Sequence, residues 1–188
     1  THYTKGLIRE NFKGKFLENV LNFDNKLFKI SDRESMLMDP QHRLLLHSVW
    51  RAIENAGYTK EKFSEKRTAV FIAINSVDYS DIVKFDSKID EFSGRGVKRY
   101  ISANRISNFF NLTGVSETID TACSSFFVGV KKAIDSIRSG ESEQAIISGV
   151  QVNLLPFIFQ EQMAQGILTT NERTLPFDEK AEGYVRSE

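Results

Sequence analysis

A single cysteine, three histidines, three prolines and one tryptophan are spread over 188 residues. One cysteine cannot form an internal disulfide, and it excludes every zinc site built on a cysteine cluster. A reducing, cytoplasmic setting is the expectation. Any mechanism needing several imidazoles must be checked against His2, His42 and His47. Net charge is absent too, with 25 Lys+Arg against 25 Asp+Glu. Such a chain has no overall field to gather nucleic acid or an anionic membrane, which disfavours a basic nucleic-acid module. No apolar run approaches the ~18 residues of a membrane span, and no charged-then-apolar leader opens the sequence.

What is present suits a packed core: 40 % hydrophobic and 27 % charged residues, with Phe 15, Tyr 5 and Trp 1 among the aromatics. Phenylalanine-rich aromatics favour dry packing over a stacking surface. The length allows one domain or a piece of a larger one. Repeats, low-complexity tracts and Pro/Gly-rich linkers are missing, so residues 1–188 are read as one unit without an internal boundary.

The first thirty residues carry no sustained period and read as irregular, with a short strand expected near Phe16–Val20. Asp39-Pro40 then opens a helix, Asp39 as cap and Pro40 at its first position. Leu45, Leu46, Val49, Trp50, Ile53 and Ala56 recur at helical spacing and mark its buried face. Gly57 closes it. Lys60–Arg67 reads as a solvated connection, and the β-branched run Thr68–Ile74 as a strand buried on both faces. Asp78–Arg99 is polar, a surface excursion with a turn of helix. A helix over Ile101–Phe110 and a strand over Val115–Asp120 follow. The next helix, Ser124–Arg138, is expected to bury Phe127, Val130, Ala133, Ile134 and Ile137. Ser139-Gly140 ends it before a buried strand, Ala145–Val152. Strand–helix–strand order with short connections predicts a parallel α/β core.

Cys123 lies in Asp120-Thr-Ala-Cys-Ser-Ser125, between a predicted strand and a predicted helix. A thiol there meets unpaired backbone N–H groups and the positive end of the helix dipole, and both favour thiolate. Small neighbours (Ala122, Ser124, Ser125) permit a sharp turn like a nucleophile elbow, although G-x-S-x-G is absent. The competing reading is a small buried core residue. The remaining candidates are bland. His42 and His47 are five apart, off the four-residue spacing of helical metal ligands, and read as surface or capping residues. Gly94-Arg-Gly96 with Lys98 and Arg99 reads as a flexible loop rather than a phosphate cradle. Asp78, Asp81, Asp86 and Asp90 lack calcium-loop order and read as a solvated face. Phe109-Phe110 and Phe126-Phe127 read as core. No metal or bound cofactor is called for.

Longer motifs narrow this further. Met38-Asp-Pro-Gln-His-Arg-Leu-Leu-Leu46 with Trp50 and Glu54-Asn-Ala-Gly57 resembles the early signature of β-ketoacyl synthase domains in modular polyketide synthases. Ala103-Asn-Arg-Ile-Ser107 followed by Asp120–Ser125 resembles their active-site region. Ser139-Gly140, Ser148-Gly-Val150, Phe177-Asp178 and Gly183-Tyr-Val-Arg186 continue in the same order. Ser116-Glu117-Thr118 resembles the type lacking built-in acyltransferases.

The resemblance implies a thiolase-like α/β/α/β/α fold, of which this chain would be the first half, truncated at both ends. It implies a homodimer within a multidomain synthase. Cys123 would accept an acyl chain from the phosphopantetheine arm of an acyl carrier protein. Two histidines, expected beyond Glu188, would then assist decarboxylation of a malonyl-type extender. The product would be a β-ketoacyl thioester, as in fatty-acid-like biosynthesis. A non-elongating ketosynthase that only transfers acyl chains, and a ketosynthase-like dimerisation or docking scaffold, are the alternatives. Departures from the pattern are Phe126 for Ser, Val115 for Pro, Gln151 for Asn, Thr174-Leu175 for Cys-Lys, and Ser187 for Gly. Phe126 is expected to reshape the acyl entrance and Ser187 to strain a turn.

Overall fold

In the computed structural model, which describes residues 13–86, 90–171 and 173–188, the central element is the apolar run near residue 70. It forms β1 (Thr68–Ala73), buried along its whole length. Its parallel neighbours are β2 (Ser116–Ile119) and β3 (Gln144–Gly149), in the order β2-β1-β3. Val70 pairs with Ser116, and Thr68 with Gln144.

This order explains the layering. The β1-to-β2 crossover moves one way along the sheet and the β2-to-β3 crossover moves back over β1. Right-handed crossovers in opposite directions put their helices on opposite faces. Val70, Ile72 and Ile74 accordingly face a core with Leu45, Leu46, Val49 and Ile53 of α2 (Pro40–Asn55) and Ala103, Ile106 and Phe110 of α6 (Ile101–Phe110). On the other face, Ala69 and Phe71 pack with Ile119 and with Ala133 of α7 (Ser125–Arg138). Each large aliphatic side chain buried this way stabilises the fold by roughly 1.5–3 kcal/mol.

Four shorter helices complete this unit, which spans Val20–Val150. They are α1 (Asp32–Leu37), α3 (Lys60–Ser64), α4 (Asp78–Asp86) and α5 (Ser93–Val97). Asp39 caps α2 by accepting from the Gln41 backbone N–H at 2.8 Å, with Pro40 in its first turn. Gly57, at φ +78°, ends it. Trp50 is half-buried and Ala56 exposed, at the margin of the predicted face.

Several expectations need correction. Lys60–Arg67 is not a plain connection, since α3 buries Phe63. Asp78–Arg99 holds two helices, and the Gly94-Arg-Gly96 segment is α5 rather than a flexible loop. Gly96 has a packing reason: a Cβ there would lie 2.1 Å from the Leu37 carbonyl oxygen. His42 is no surface group but a core one, 1 % exposed, and His47 packs edge-on against Phe23 and Phe28. Asp90 pairs with Arg33 at 2.6 Å and Asp81 with Lys84 at 2.9 Å, while the Asp86 side chain and His2 lie outside the described residues.

The second unit combines residues 13–19 with Gln151–Glu188 and contains α8 (Phe157–Ala164). The strand expected at Phe16–Val20 is replaced by a single bridge between Lys15 and Ser187, followed by a turn. The Phe16 ring lies 5.9 Å from buried Phe159. Arg186 Nε donates to Asn153 Oδ1 at 2.7 Å, and Glu188 accepts from the Leu17 and Asn153 backbone N–H groups. Ser187 does not adopt a positive φ, so the turn strain expected there is absent; Gly183, at φ +136°, takes that conformation instead. Among the described residues, no helix is long and apolar enough to cross a membrane.

Candidate active site

β2 ends at Ile119 and α7 begins at Ser125, leaving five residues to reverse the chain at the carboxyl edge of the sheet. Cys123 is exposed there, which removes the buried-core reading. Ala122 makes the reversal sharp: it has φ +55°, a left-handed conformation that costs an L-residue about 1–2 kcal/mol.

Four side chains hold that turn. Asp120 Oδ1 accepts from the Ala122 N–H at 3.2 Å. Ser125 Oγ accepts from the Thr121 N–H at 2.8 Å and donates to the Ala122 carbonyl at 2.7 Å. Ser124 Oγ donates to the Thr121 carbonyl at 2.8 Å. Arg99 Nη1 reaches Asp120 Oδ2 at 2.5 Å and also donates to the Asn75 carbonyl at 2.9 Å, tying the elbow to the segment after β1. Behind the elbow, hydroxyls sew α6 to β2: Ser102 bonds Thr118 at 3.0 Å and Ser107 bonds Ser116 at 2.9 Å.

These contacts assign work to residues that the sequence marked only as small or left in a loop. Ser124 and Ser125 fasten the turn as well as fitting it. Arg99 gave no local signal, because its partner is 21 positions away. Cys123 precedes by two residues a 14-residue helix, whose N-terminus is its positive end. His42 offers no proton relay to it: neither ring nitrogen has a hydrogen-bond partner among the described residues. Burial, reinforced by the Arg105 and Arg43 charges, lowers its pKa to about 3 and keeps it neutral.

Of the predicted face of α7, Ala133 is buried, but Phe127, Ile134 and Ile137 are exposed. The helix's inward residues are the small ones: Ser125, Gly129, Ala133 and Ser136. A Cβ on Gly129 would meet Ile147, Ile119 and Phe71 at 3.4–3.7 Å, so the helix lies close on the sheet. Phe126, Phe127, Ile134 and Ile137 face outward, 44, 75, 40 and 45 % exposed. Phe126 and Phe127 are therefore not core, although Phe109 and Phe110 are packed as expected. The Phe126 ring leans toward Gly149 at the end of β3, where an added Cβ would stand 3.5 Å from it.

The model of the β-ketoacyl synthase N-terminal domain matches residues 4–188. The chain belongs to the β-ketoacyl synthase family. Mellein synthase of Phaeosphaeria nodorum is 40 % identical over 177 residues, which cover 94 % of this chain and 10 % of that protein. Polyketide synthase PksN of Bacillus subtilis is 37 % identical over 176 residues, 93 % of this chain and 3 % of that protein. Among solved structures, the ketosynthase from module 6 of the Bacillus subtilis bacillaene synthase superposes with a TM-score of 0.82 at 33 % identity. That match covers 91 % of this chain and 29 % of the ketosynthase. A Streptomyces albus oxazolomycin ketosynthase domain gives the same TM-score and identity, with 92 % and 31 % covered. The chain thus spans a tenth or less of these synthases and under a third of the ketosynthases. Its fold is the thiolase-like one implied by the motifs, in its N-terminal part.

Proposed function

We propose that this chain carries the acyl-accepting site of a polyketide-synthase ketosynthase, with Cys123 as nucleophile. The supporting observation is the exposed sulfur on a left-handed turn, held by Asp120, Ser124 and Ser125 ahead of α7, in a member of this family. Sγ attacks the carbonyl carbon of an acyl thioester on the phosphopantetheine arm of an acyl carrier protein. The C–S bond to the carrier breaks, the carrier leaves as its thiol, and the acyl group rests on cysteine. Sulfur suits both halves of the exchange, being a good nucleophile and a good leaving group. The Cys123 backbone N–H serves as a donor to the tetrahedral oxyanion.

A malonyl-type extender on the carrier then loses CO2. Its carbanion attacks the acyl carbon, forms the new C–C bond and returns Cys123 as thiolate. The partners are the acyl carrier protein and, as in a homodimeric synthase, a second copy. The phosphopantetheine arm belongs to the carrier.

Mass spectrometry of the natural-length protein, incubated with a short acyl thioester, tests the reading. The expected result is one acyl adduct on the Cys123 peptide, lost in Cys123→Ala. An unmodified Cys123 in folded protein refutes it. A β-ketoacyl product after addition of malonyl-loaded carrier distinguishes elongation from transfer alone.

A further inference from the structure

The elbow is joined to an ion pair that neither helix α7 nor strand β2 needs for its own hydrogen bonding. Asp120 is bidentate in role: Oδ1 takes the Ala122 N–H and Oδ2 takes Arg99. Arg99 in turn holds the Asn75 carbonyl. The two side chains are 37 and 41 % exposed, and pairs this accessible contribute little to stability. Their position matters more. A carboxylate that bonds the Ala122 N–H fixes the left-handed turn, but its charge, three residues before Cys123, opposes a thiolate there. Arg99 offsets that charge while leaving the hydrogen bond in place.

Other charges on the surrounding elements are engaged elsewhere. Glu117 on β2 pairs with Lys132 of α7 at 2.9 Å, and Arg105 of α6 pairs with Glu34 at 2.7 Å. Asn75 presents a neutral carbonyl after β1, and Gly149-Val150 closes β3 without charge. Among the described residues, Arg99 and Asp120 are the charged side chains bonded to the turn.

We infer that Asp120 and Arg99 are a positioning pair for Cys123, the carboxylate fixing the elbow and the guanidinium cancelling its charge at the sulfur. The inference rests on Cys123 being the nucleophile. Its mark is that the two residues act in opposite directions on the sulfur's pH response, which a purely structural ion pair would not do.

The experiment follows alkylation of the Cys123 peptide by iodoacetamide, against pH, in the natural-length protein. Asp120→Ala is expected to slow the plateau rate about tenfold, with Asp120→Asn recovering most of it because an amide oxygen still accepts from Ala122. Arg99→Gln is expected to move the pH midpoint of alkylation up, Arg99→Lys to restore it, and Asp120→Asn to move it down. An Asp120→Ala rate within twofold of the parent, or a midpoint unmoved by Arg99→Gln, overturns the inference. Should Asp120→Ala fail to fold, the Gln and Lys variants of Arg99 decide. A parent protein that is alkylated normally but never acylated at Cys123 refutes the nucleophile reading, while these profiles still judge the pair.

Discussion

Asp39 and His42 stand on the first turn of α2, both 1 % exposed, and burial drives their pKa values in opposite senses. Asp39 is raised to about 6 from 3.8 by desolvation, against the lowering effect of its Gln41 hydrogen bonds and of Arg43. Between those two values the folded protein holds a proton that the unfolded chain has released. Stability from this group is full below pH 3.8 and is lost as pH rises through about 6, by about 3 kcal/mol. His42 is lowered to about 3 from 6.5, so between those values the unfolded chain holds a proton that the folded protein refuses. Stability from His42 is full above pH 6.5 and is lost as pH falls, by about 5 kcal/mol in all. From pH 4 to 6 the two groups contribute mean slopes of roughly 1 kcal/mol per pH unit with opposite signs, and they nearly cancel.

Asp39→Asn keeps an oxygen for the Gln41 N–H and removes the titration, leaving the His42 slope exposed. Urea unfolding of the natural-length protein at pH 4, 5 and 6 is the assay. The stability of Asp39→Asn minus that of the parent is expected to rise by about 2 kcal/mol from pH 4 to 6. For His42→Leu minus parent, the expected change is a fall of similar size. Groups untouched by either substitution drop out of these differences. Curves parallel to the parent within 0.5 kcal/mol, on the scale of ordinary surface changes, would refute the reasoning.

Three further outcomes follow from the packing. Gly96→Ala places a methyl 2.1 Å from a backbone oxygen and should destabilise by about 3 kcal/mol or more, read as a lowered urea midpoint. Gly129→Ala meets only ordinary contacts in the middle of α7 and should stabilise by about 0.5–1 kcal/mol in the same assay; a loss there would mean that α7 packs more tightly on the sheet. Ser125→Ala removes both hydroxyl bonds across the elbow and should slow Cys123 alkylation more than it lowers the urea midpoint, with Ser125→Thr restoring part of the rate.

The sequence was most readable where one local rule governed. Asp39-Pro40 and Gly57 mark the limits of α2, and the β-branched run of β1 marks a strand with apolar neighbours on both faces. It was misleading on α7, because hydrophobicity alone selected Phe127, Ile134 and Ile137. Contact with the sheet instead buries Ser125, Gly129 and Ser136 beside the expected Ala133, small residues that let the backbones approach. The position of Cys123, on a turn between strand and helix, was legible. Its clamp was not, since Arg99, Asn75 and Asp120 converge only after the strands pair. His42 was misjudged for a related reason: a polar residue on an amphipathic helix reads as exposed until the packing of α6 and β1 around α2 is known.

The central position of β1 also governs how the chain comes off the ribosome. Val70 must wait for Ser116, and Thr68 for Gln144, about 46 and 76 residues later. At ~5–20 residues per second, the run Thr-Ala-Val-Phe-Ile-Ala therefore spends roughly 2–9 s without its first partner and longer without its second. During that interval it is an uncharged, β-prone segment of the kind that self-associates. Synthesis rate between residues 74 and 119, and chaperone occupancy of that stretch, should consequently set the yield of soluble protein more strongly than they would for a helical domain of equal length.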